Sequence, residues 1–181
     1  MRFGRDKLAE PYRGVPLLHH AVLRLVEVCE ELVVVLAPGA NADGLPPGVR
    51  VAFDATPGEG PLAGLQAGLL SAAAADLVIV AGGDMPDLQT PVLREMLRVA
   101  EEAHVDAVAL AEDDHYRPLP CVLRPAAAAD AGHSLLHAGR RRLRDLLDSL
   151  PTAIVDEATW TALDPDRRTL FDIDEPGDLL H

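Results

Sequence analysis

Short apolar runs alternate with amphipathic stretches along the first two-thirds of the chain. The runs lie at 31–38, 49–54, 77–80 and 106–111, and they predict strands. Apolar residues at three- and four-residue spacing predict helices over 15–28, 60–75 and 91–104. Strands that alternate with helices are typical of βαβ units. The pattern therefore predicts an α/β fold, a three-layer α/β/α sandwich around a mostly parallel, Rossmann-like sheet.

The flanking parts of the chain are less regular. Residues 1–14 are polar, and they predict an irregular segment. Pro118 and Pro120 lie within the extended stretch 117–124, and because proline donates no backbone hydrogen bond they predict an edge strand or a segment before a strand. The last predicted elements are a short helix at 125–131, a basic helix from 139, a strand at 152–155 and a final helix within 170–180.

Composition narrows the class of protein. A length of 181 residues predicts a single domain, residues 1–181, and 49% hydrophobic with 25% charged residues indicates a globular chain. The net charge of −13 argues against a nucleic-acid partner, which would need a basic surface. No apolar run reaches the length of a membrane span, and no signal peptide is present, so we expect a cytoplasmic protein without a membrane partner. Cys29 and Cys121 are expected to be free, buried thiols.

The segment 77–86, LVIVAGGDMP, carries the first candidate site residue. Its strand ends in Gly82 and Gly83, followed by Asp84. Ligands bind beyond the carboxyl ends of strands in open α/β sheets, and a carboxylate there suits a hard cation held against phosphate oxygens. Asp84 could instead cap the next helix, but that helix has its own start signal at Thr90 and Pro91. A functional Asp84 is the favoured interpretation.

Three further features could serve a ligand. Asp54 also ends a strand, although it could simply begin a turn. Gly64 and Gly68 share one face of the helix that starts at Gly60 and Pro61, so this helix either packs very close to the sheet or passes a ligand near its N-terminus. Arginines at a helix N-terminus oppose the helix dipole and suggest a phosphate or acidic ligand, with a solvated basic turn as the equal alternative. These arginines are Arg140, Arg141 and Arg142.

Taken together, the motifs resemble a known family. They are, in order, RFGRDK, GPLAGL, VAGGDMP, RPLP, GRRRLRDLL and LFDIDEPGDL. Their order and spacing resemble the molybdenum cofactor guanylyltransferases, which have the nucleotide-diphospho-sugar transferase-like fold. The resemblance implies transfer of GMP from GTP to molybdopterin, release of pyrophosphate and a need for Mg²⁺. It leaves open a role for proteins that deliver molybdopterin.

The resemblance also implies roles for single residues. Lys7 matches the lysine that contacts the GTP phosphates, Asp84 the aspartate that binds magnesium, and Arg2 the arginine that closes the glycine-rich loop; these three are the expected catalytic residues. Asp172 and Asp174 match positions at which one residue supports the metal in the family, and Asp174 is the expected second metal ligand. The expected nucleotide-binding residues are Lys7, Asp54, Gly60, Pro61, Leu62, Gly64 and Asp84, and the expected residues for the acceptor phosphate are Arg140 and Arg141.

Two departures from the family pattern leave alternatives open. Relatives begin with a strand and a glycine-rich loop, Leu-Ala-Gly-Gly-x-Ser-x-Arg, whereas this chain starts inside that motif, so the first, central strand is expected to be missing. Either the true start lies upstream, which the retained Arg2 and Lys7 favour, or the chain is an inactive, truncated binding domain. Pro38 replaces an asparagine near the base, and Asn41 is the nearby substitute. A related nucleotidylyltransferase with another nucleotide or acceptor is therefore the alternative enzyme.

Overall fold

The computed structural model describes residues 6–54, 58–175 and 177–178. The predicted residue Arg2 lies outside these ranges, as do Pro176, Leu179 and Leu180 at the predicted last helix. The strands are β1 (Pro11–Tyr12), β2 (Val15–Pro16), β3 (Val33–Leu36), β4 (Arg50–Phe53), β5 (Val78–Val80), β6 (Ala107–Glu112), β7 (His115–Leu123) and β8 (Thr152–Val155). The α-helices are α1 (Leu17–Leu25), α2 (Pro61–Ser71), α3 (Thr90–Ala103), α4 (Pro125–His137), α5 (Leu143–Ser149) and α6 (Glu157–Leu163). Short 3₁₀ turns cover Lys7–Ala9 and Arg168–Leu170.

The described strands form three separate sheets. Strands β1 and β2 make an antiparallel hairpin, β3 and β4 a parallel pair, and β5-β7-β6-β8 a four-stranded sheet. In the larger sheet β7 pairs antiparallel with both neighbours and β8 pairs parallel with β6, so only β7 runs against the other three. The sheet is therefore mixed, with a parallel majority.

Strand β6 shows why its apolar run is continuous. Val108 and Leu110 face a core that includes residues of α1, α3 and α6, whereas Ala107 and Ala109 face a second core with α2, α4 and α5. Successive side chains of a strand point to opposite faces, so a strand covered by helices on both sides needs apolar residues at every position. The predicted three-layer sandwich is confirmed.

The prediction of an edge position for 117–124 is wrong. Strand β7 lies inside the sheet, between β5 and β6. It pairs with β6 through His115–Arg117 and again at Val122 and Leu123, and with β5 through Cys121–Leu123. The ladder register shifts between these two stretches, so Pro118 and Pro120 lie where no ladder pair forms. The irregularity is what lets an interior strand carry prolines.

Helix boundaries also differ from the predictions. Helix α4 is longer than expected and runs to His137, whereas α5 begins only at Leu143. The three arginines 140–142 consequently precede a helix instead of forming its first turn. Helix α6 was not predicted; Asp156 caps it by accepting the backbone N–H of Thr159 at 2.8 Å.

The sheet is interrupted beside β5. In the part of the chain that the structure describes, β3 pairs only with β4, and β5 pairs only with β7. Helix α2 packs against β3, where a Cβ on Gly68 would lie 3.1 Å from Val35 Cγ2. Among the described residues, the β3–β4 pair therefore forms no ladder with the larger sheet.

Two smaller expectations can also be compared with the structure. Among the described helices, none has the length and apolar character needed to cross a membrane. Cys121 is buried and Cys29 half-buried, and neither forms a disulfide. Burial raises the pKa of the Cys121 thiol to about 12, so this side chain is a protonated, unreactive part of the core.

Candidate functional site

Three distant parts of the chain meet at Lys7. Its ammonium group donates to Asp84 Oδ2 at 2.8 Å and to the carbonyl oxygen of Ile173 at 2.8 Å, and it lies 3.5 Å from Asp174 Oδ1. The backbone N–H of Ile173 in turn donates to the carbonyl of Asp84 at 3.0 Å. The sequence-predicted residues Lys7, Asp84 and Asp174 are therefore brought together at the carboxyl end of β5.

The acidic surroundings stabilise the charged form of Lys7. Partial burial lowers the pKa of this group, but the hydrogen bond and charge of Asp84, with a further contribution from Asp174, outweigh it. The net effect is a pKa above the ordinary value of 10.5. At neutral pH Lys7 is thus a fixed cation beside two carboxylates.

The two glycines before Asp84 make room for the protein's own side chains. A Cβ on Gly82 would collide with Asp84 Oδ1 and lie 3.2 Å from Met85 Cγ, and a Cβ on Gly83 would lie 3.0 Å from Leu18 and 3.2 Å from Leu8. The carboxylate of Asp84 therefore lies against the backbone of Gly82. Leu8, in the 3₁₀ turn Lys7–Ala9, lies against the backbone of Gly83 just after β5. The glycines are required by close packing within the site.

Asp172 and Arg117 extend the site on the side of β7. Arg117 Nη2 lies 3.5 Å from Asp172 Oδ2, and Arg117 Nη1 donates to Glu112 Oε2 at 3.2 Å. Burial raises the pKa of the Asp172 carboxyl, the charges of Asp174 and Asp84 raise it further, and Arg117 opposes them. Sequence reasoning included Arg117 only as the first residue of the RPLP motif and assigned it no role, because nothing in the sequence shows that it meets Asp172.

A second group of predicted residues lies around the start of α2. Asp54 follows β4, and its Oδ2 would lie 3.7 Å from a Cβ on Gly64, so this carboxylate borders the first turns of the helix. Gly60 has a φ of 96° and precedes Pro61 at the first helical position. The N–H of Leu62 points to the carbonyl of Arg141 at 3.4 Å, a weak hydrogen bond, so this part of the helix N-terminus faces protein.

The two arginines predicted for the acceptor have partners within the chain. Arg140 Nε donates to Asp145 Oδ2 at 3.0 Å, and Arg141 Nη1 donates to the carbonyl of Leu136 at 2.8 Å. A Cβ on Gly60 would lie 3.1 Å from Arg141 Cβ, so the arginine loop packs directly on the turn before α2. Arg141 is thereby placed beside the GPLAGL motif, whereas Arg140 points to the start of α5.

A cavity of about 130 Å³ lies beside the 3₁₀ turn Lys7–Ala9. Leu8 and Leu36 contribute apolar walls, and Asn41, Asp43 and His19 contribute polar groups. Asn41 Oδ1 accepts the backbone N–H of Asp43 at 2.8 Å, which leaves the amide NH₂ as a donor. Asn41, the expected substitute for the family asparagine, therefore lines this cavity.

The described residues gather no cluster of three or more His, Cys, Asp or Glu side chains that would hold a metal by themselves. Mg²⁺ bound with a nucleotide usually takes only one or two protein carboxylates, together with water and phosphate oxygens. Asp84 and Asp174, both within reach of Lys7, provide hard oxygen donors of that kind. The donor set fits such a metal only together with a phosphate ligand.

The chain is similar to proteins of known family. A family model described as the MobA-like NTP transferase domain matches residues 1–154. A molybdenum cofactor guanylyltransferase from Burkholderia vietnamiensis is 37% identical over 153 residues, which cover 78% of this chain and 72% of the relative. A protein from Natronomonas pharaonis named "Probable molybdenum cofactor guanylyltransferase" is 31% identical over 180 residues, covering 96% and 86%.

A solved structure shares the fold. It is described as molybdopterin-guanine dinucleotide biosynthesis protein A from Archaeoglobus fulgidus, and it superposes with a TM-score of 0.82 over 99% of this chain and 89% of its own, at 24% identity. The family model covers most of the chain, and the two relatives exceed 30% identity. The chain therefore belongs to the MobA-like NTP transferase family.

Proposed function

We propose that this protein is a molybdenum cofactor guanylyltransferase, which transfers GMP from GTP to molybdopterin and releases pyrophosphate, with Mg²⁺ as cofactor. The names of the relatives support the reaction. The observation that carries it here is the placement of Lys7 between Asp84 and Asp174 at the carboxyl end of β5. A cation and two carboxylates at this position suit a metal-bound triphosphate.

The proposed roles follow from charge. Attack of an acceptor phosphate on the α-phosphorus of GTP brings two anions together, so positioning and charge neutralisation dominate catalysis. Lys7 contacts the phosphates, and Asp84 with Asp174 holds Mg²⁺, which neutralises phosphate charge when bound. Asp54 and the turn of Gly60, Pro61, Leu62 and Gly64 border the nucleotide. No covalent nucleophile is needed.

The cavity beside the 3₁₀ turn supports a place for the base. An amide NH₂ from Asn41 and a carboxylate from Asp43 match the acceptor at O6 of guanine and the donors at its N1 and N2. In this proposal Asn41 takes the role of the asparagine that Pro38 replaces. The Asp43 carboxylate would disfavour a base that presents acceptors there.

Basic residues are the proposed contacts on the acceptor side. Arg140 and Arg141 remain our proposed contacts to the molybdopterin phosphate, although Arg140 would have to release Asp145 first. Arg117 is a further cation of the site, since its Nη2 lies 3.5 Å from Asp172 Oδ2. Arg2 and proteins that deliver molybdopterin remain predictions from the family resemblance.

Calorimetry of nucleotide binding tests the function. GTP, CTP and ATP are titrated into the protein with and without Mg²⁺, and into the variants Asp84→Asn and Asp130→Asn, the second of which changes an exposed acid on α4 as a matched control. We expect magnesium-dependent GTP binding that Asp84→Asn abolishes and Asp130→Asn leaves unchanged. Incubation with molybdopterin should then release pyrophosphate.

Pro38 is the specific observation that favours a second candidate, a related transferase that uses another nucleotide. Tighter magnesium-dependent binding of CTP or ATP than of GTP would establish that alternative. Absence of binding by all three nucleotides would contradict the enzyme and favour a non-catalytic binding domain.

A further inference from the structure

The three segments that meet at Lys7 meet a second time at Asp87. Arg13, in the β1–β2 turn, donates from Nη1 to Asp87 Oδ1 at 2.9 Å and from Nη2 to Oδ2 at 3.4 Å. Arg168, in the 3₁₀ turn before Ile173, donates from Nη2 to the same Oδ2. Asp87 itself is only 5% exposed. A buried carboxylate thus joins the N-terminal hairpin, the loop after β5 and the C-terminal segment.

The two junctions have opposite polarity. At Lys7 one cation is surrounded by oxygen atoms, whereas at Asp87 one carboxylate is surrounded by two guanidinium groups. The chain between them is short in every segment: Asp87 follows Asp84 by three residues, and Arg13 follows Lys7 by six. A shift at the Asp87 junction would therefore be transmitted to all the groups around Lys7.

Neighbouring hydrogen bonds strengthen this connection. The backbone N–H of Gln89 donates to Thr169 Oγ1 at 3.2 Å, and the Gln89 side chain donates to the carbonyl of Asp87 at 2.8 Å. Arg13 lies at a positive φ of 47° in a two-residue hairpin turn, with its guanidinium carbon 4.6 Å from the centre of the Tyr12 ring. The turn conformation and the ring contact fix the direction from which Arg13 reaches the carboxylate.

Asp87 is the group on which the junction depends. Both arginines are partly exposed, so each can be hydrated if its partner is lost. Removal of the carboxylate charge would leave two guanidinium groups close together without their counter-ion, and like charges at short range repel each other. The loop that carries Asp84 would then lose its attachment to both flanking segments.

We infer that Asp87 is a positioning residue, which holds Lys7, Asp84 and Asp174 in register for the metal-bound nucleotide without touching it. The expected effect of Asp87 on nucleotide affinity rests on the proposed function. The structural part of the inference does not, because the geometry around Lys7 can be measured without any substrate.

Lys7 provides that measurement, since it is the single lysine of the sequence. The protein and the Asp87→Asn variant are treated briefly with a trace of an amine-acylating reagent, and mass spectrometry compares the labelling of Lys7 Nζ with that of the α-amine. Loss of register should raise Lys7 labelling several-fold. It should also weaken magnesium–GTP binding by about 10- to 100-fold, as for outer partners of metal sites, whereas Asp87→Glu should restore part of both.

A matched variant separates positioning from stability. Asp156→Ala removes the cap of α6 and should lower the melting temperature while leaving Lys7 labelling unchanged. If Asp87→Asn does not fold, Arg13→Gln keeps the Arg168–Asp87 pair and is tested in the same way. A folded Asp87→Asn or Arg13→Gln with wild-type Lys7 labelling and wild-type nucleotide affinity would overturn the inference. Absence of nucleotide binding by the wild-type protein would count against the proposed function alone, because the labelling result still decides the role of Asp87.

Discussion

Lys7 holds three oxygen acceptors from two other segments, and its pKa reports on the two carboxylates among them. The resemblance of RFGRDK to a family motif was enough to select this residue. The carbonyl of Ile173 as a partner was beyond sequence reasoning, because it depends on how residues far apart in the chain pack. The same holds for Arg117, whose contact with Asp172 joins β7 to the C-terminal segment.

The raised pKa of Lys7 predicts a pH dependence of stability. A cation whose folded pKa lies above its unfolded value stabilises the fold fully below the unfolded value of 10.5, and this contribution is lost as pH rises through the folded pKa. We expect Asp84→Asn to lower the pKa of Lys7, since its hydrogen bond and charge are the largest raising influences. NMR titration of the protein with ¹³C-methylated Lys7 checks this. An unchanged titration curve in Asp84→Asn would contradict the ion pair.

Gly82 predicts a separation of folding from binding. A Cβ at this position would overlap Asp84 Oδ1, the outer end of a rotatable side chain, so Gly82→Ala should fold while its Asp84 carboxylate is displaced. We expect a cooperatively folded protein with a modestly lower melting temperature, because the Lys7–Asp84 pair is weakened, together with a loss of magnesium-dependent nucleotide binding. Calorimetry and thermal unfolding of the same sample give both results. Wild-type nucleotide affinity in Gly82→Ala would show that nucleotide binding does not depend on the observed position of the Asp84 carboxylate.

At the scale of elements, local pattern predicted most strands, and pairing decided the rest. The apolar run of β6 correctly predicted a strand. The run is continuous because helices cover both faces of this strand. The prolines of β7 suggested an edge, since proline removes a ladder hydrogen bond, but the sequence does not show that the ladder register shifts at that point. Helix α6 was missed because Trp160 is its one buried residue, so it has no apolar periodicity, whereas the equally short α5 buries Leu146 and Leu147.

Two glycines at the start of α2 predict opposite effects on stability. Gly60→Ala would place a Cβ 3.2 Å from the carbonyl oxygen of Arg141 at a φ of 96°, and it should destabilise the fold by about 1–3 kcal/mol. In Gly64→Ala the new Cβ would lie 3.7 Å from Asp54 Oδ2, an ordinary van der Waals distance. This substitution should stabilise the helix by about 0.5–1 kcal/mol.

Urea unfolding measures both changes. If the Gly64 face borders the nucleotide as proposed, Gly64→Ala should weaken nucleotide binding despite its higher stability. Equal stabilities of the two variants would show that the turn before α2 tolerates a side chain.

At the scale of the whole molecule, the net charge of −13 opposes the approach of an anionic nucleotide. Screening lengths fall from about 30 Å at 0.01 M salt to about 8 Å at 0.15 M. We therefore expect the association rate of a fluorescent GTP analogue to rise over this range, the reverse of the behaviour of proteins with a basic binding face. Stopped-flow measurements check this. A rate that falls with salt would show that the local field of Lys7 and Arg117 outweighs the net charge.

The interrupted sheet has a consequence for amide hydrogen exchange. Strand β6 is paired on both sides, whereas β3 has a ladder partner only in β4 among the described residues. The β3–β4 pair should therefore open at a lower free energy and exchange sooner than β6, as a separate cooperative unit. Leu8 packs against Gly83 at the end of β5 and shares a cavity wall with Leu36 at the end of β3, so the 3₁₀ turn of Lys7 spans both units. A nucleotide held by that turn would slow exchange in the weaker half, far beyond the residues it touches.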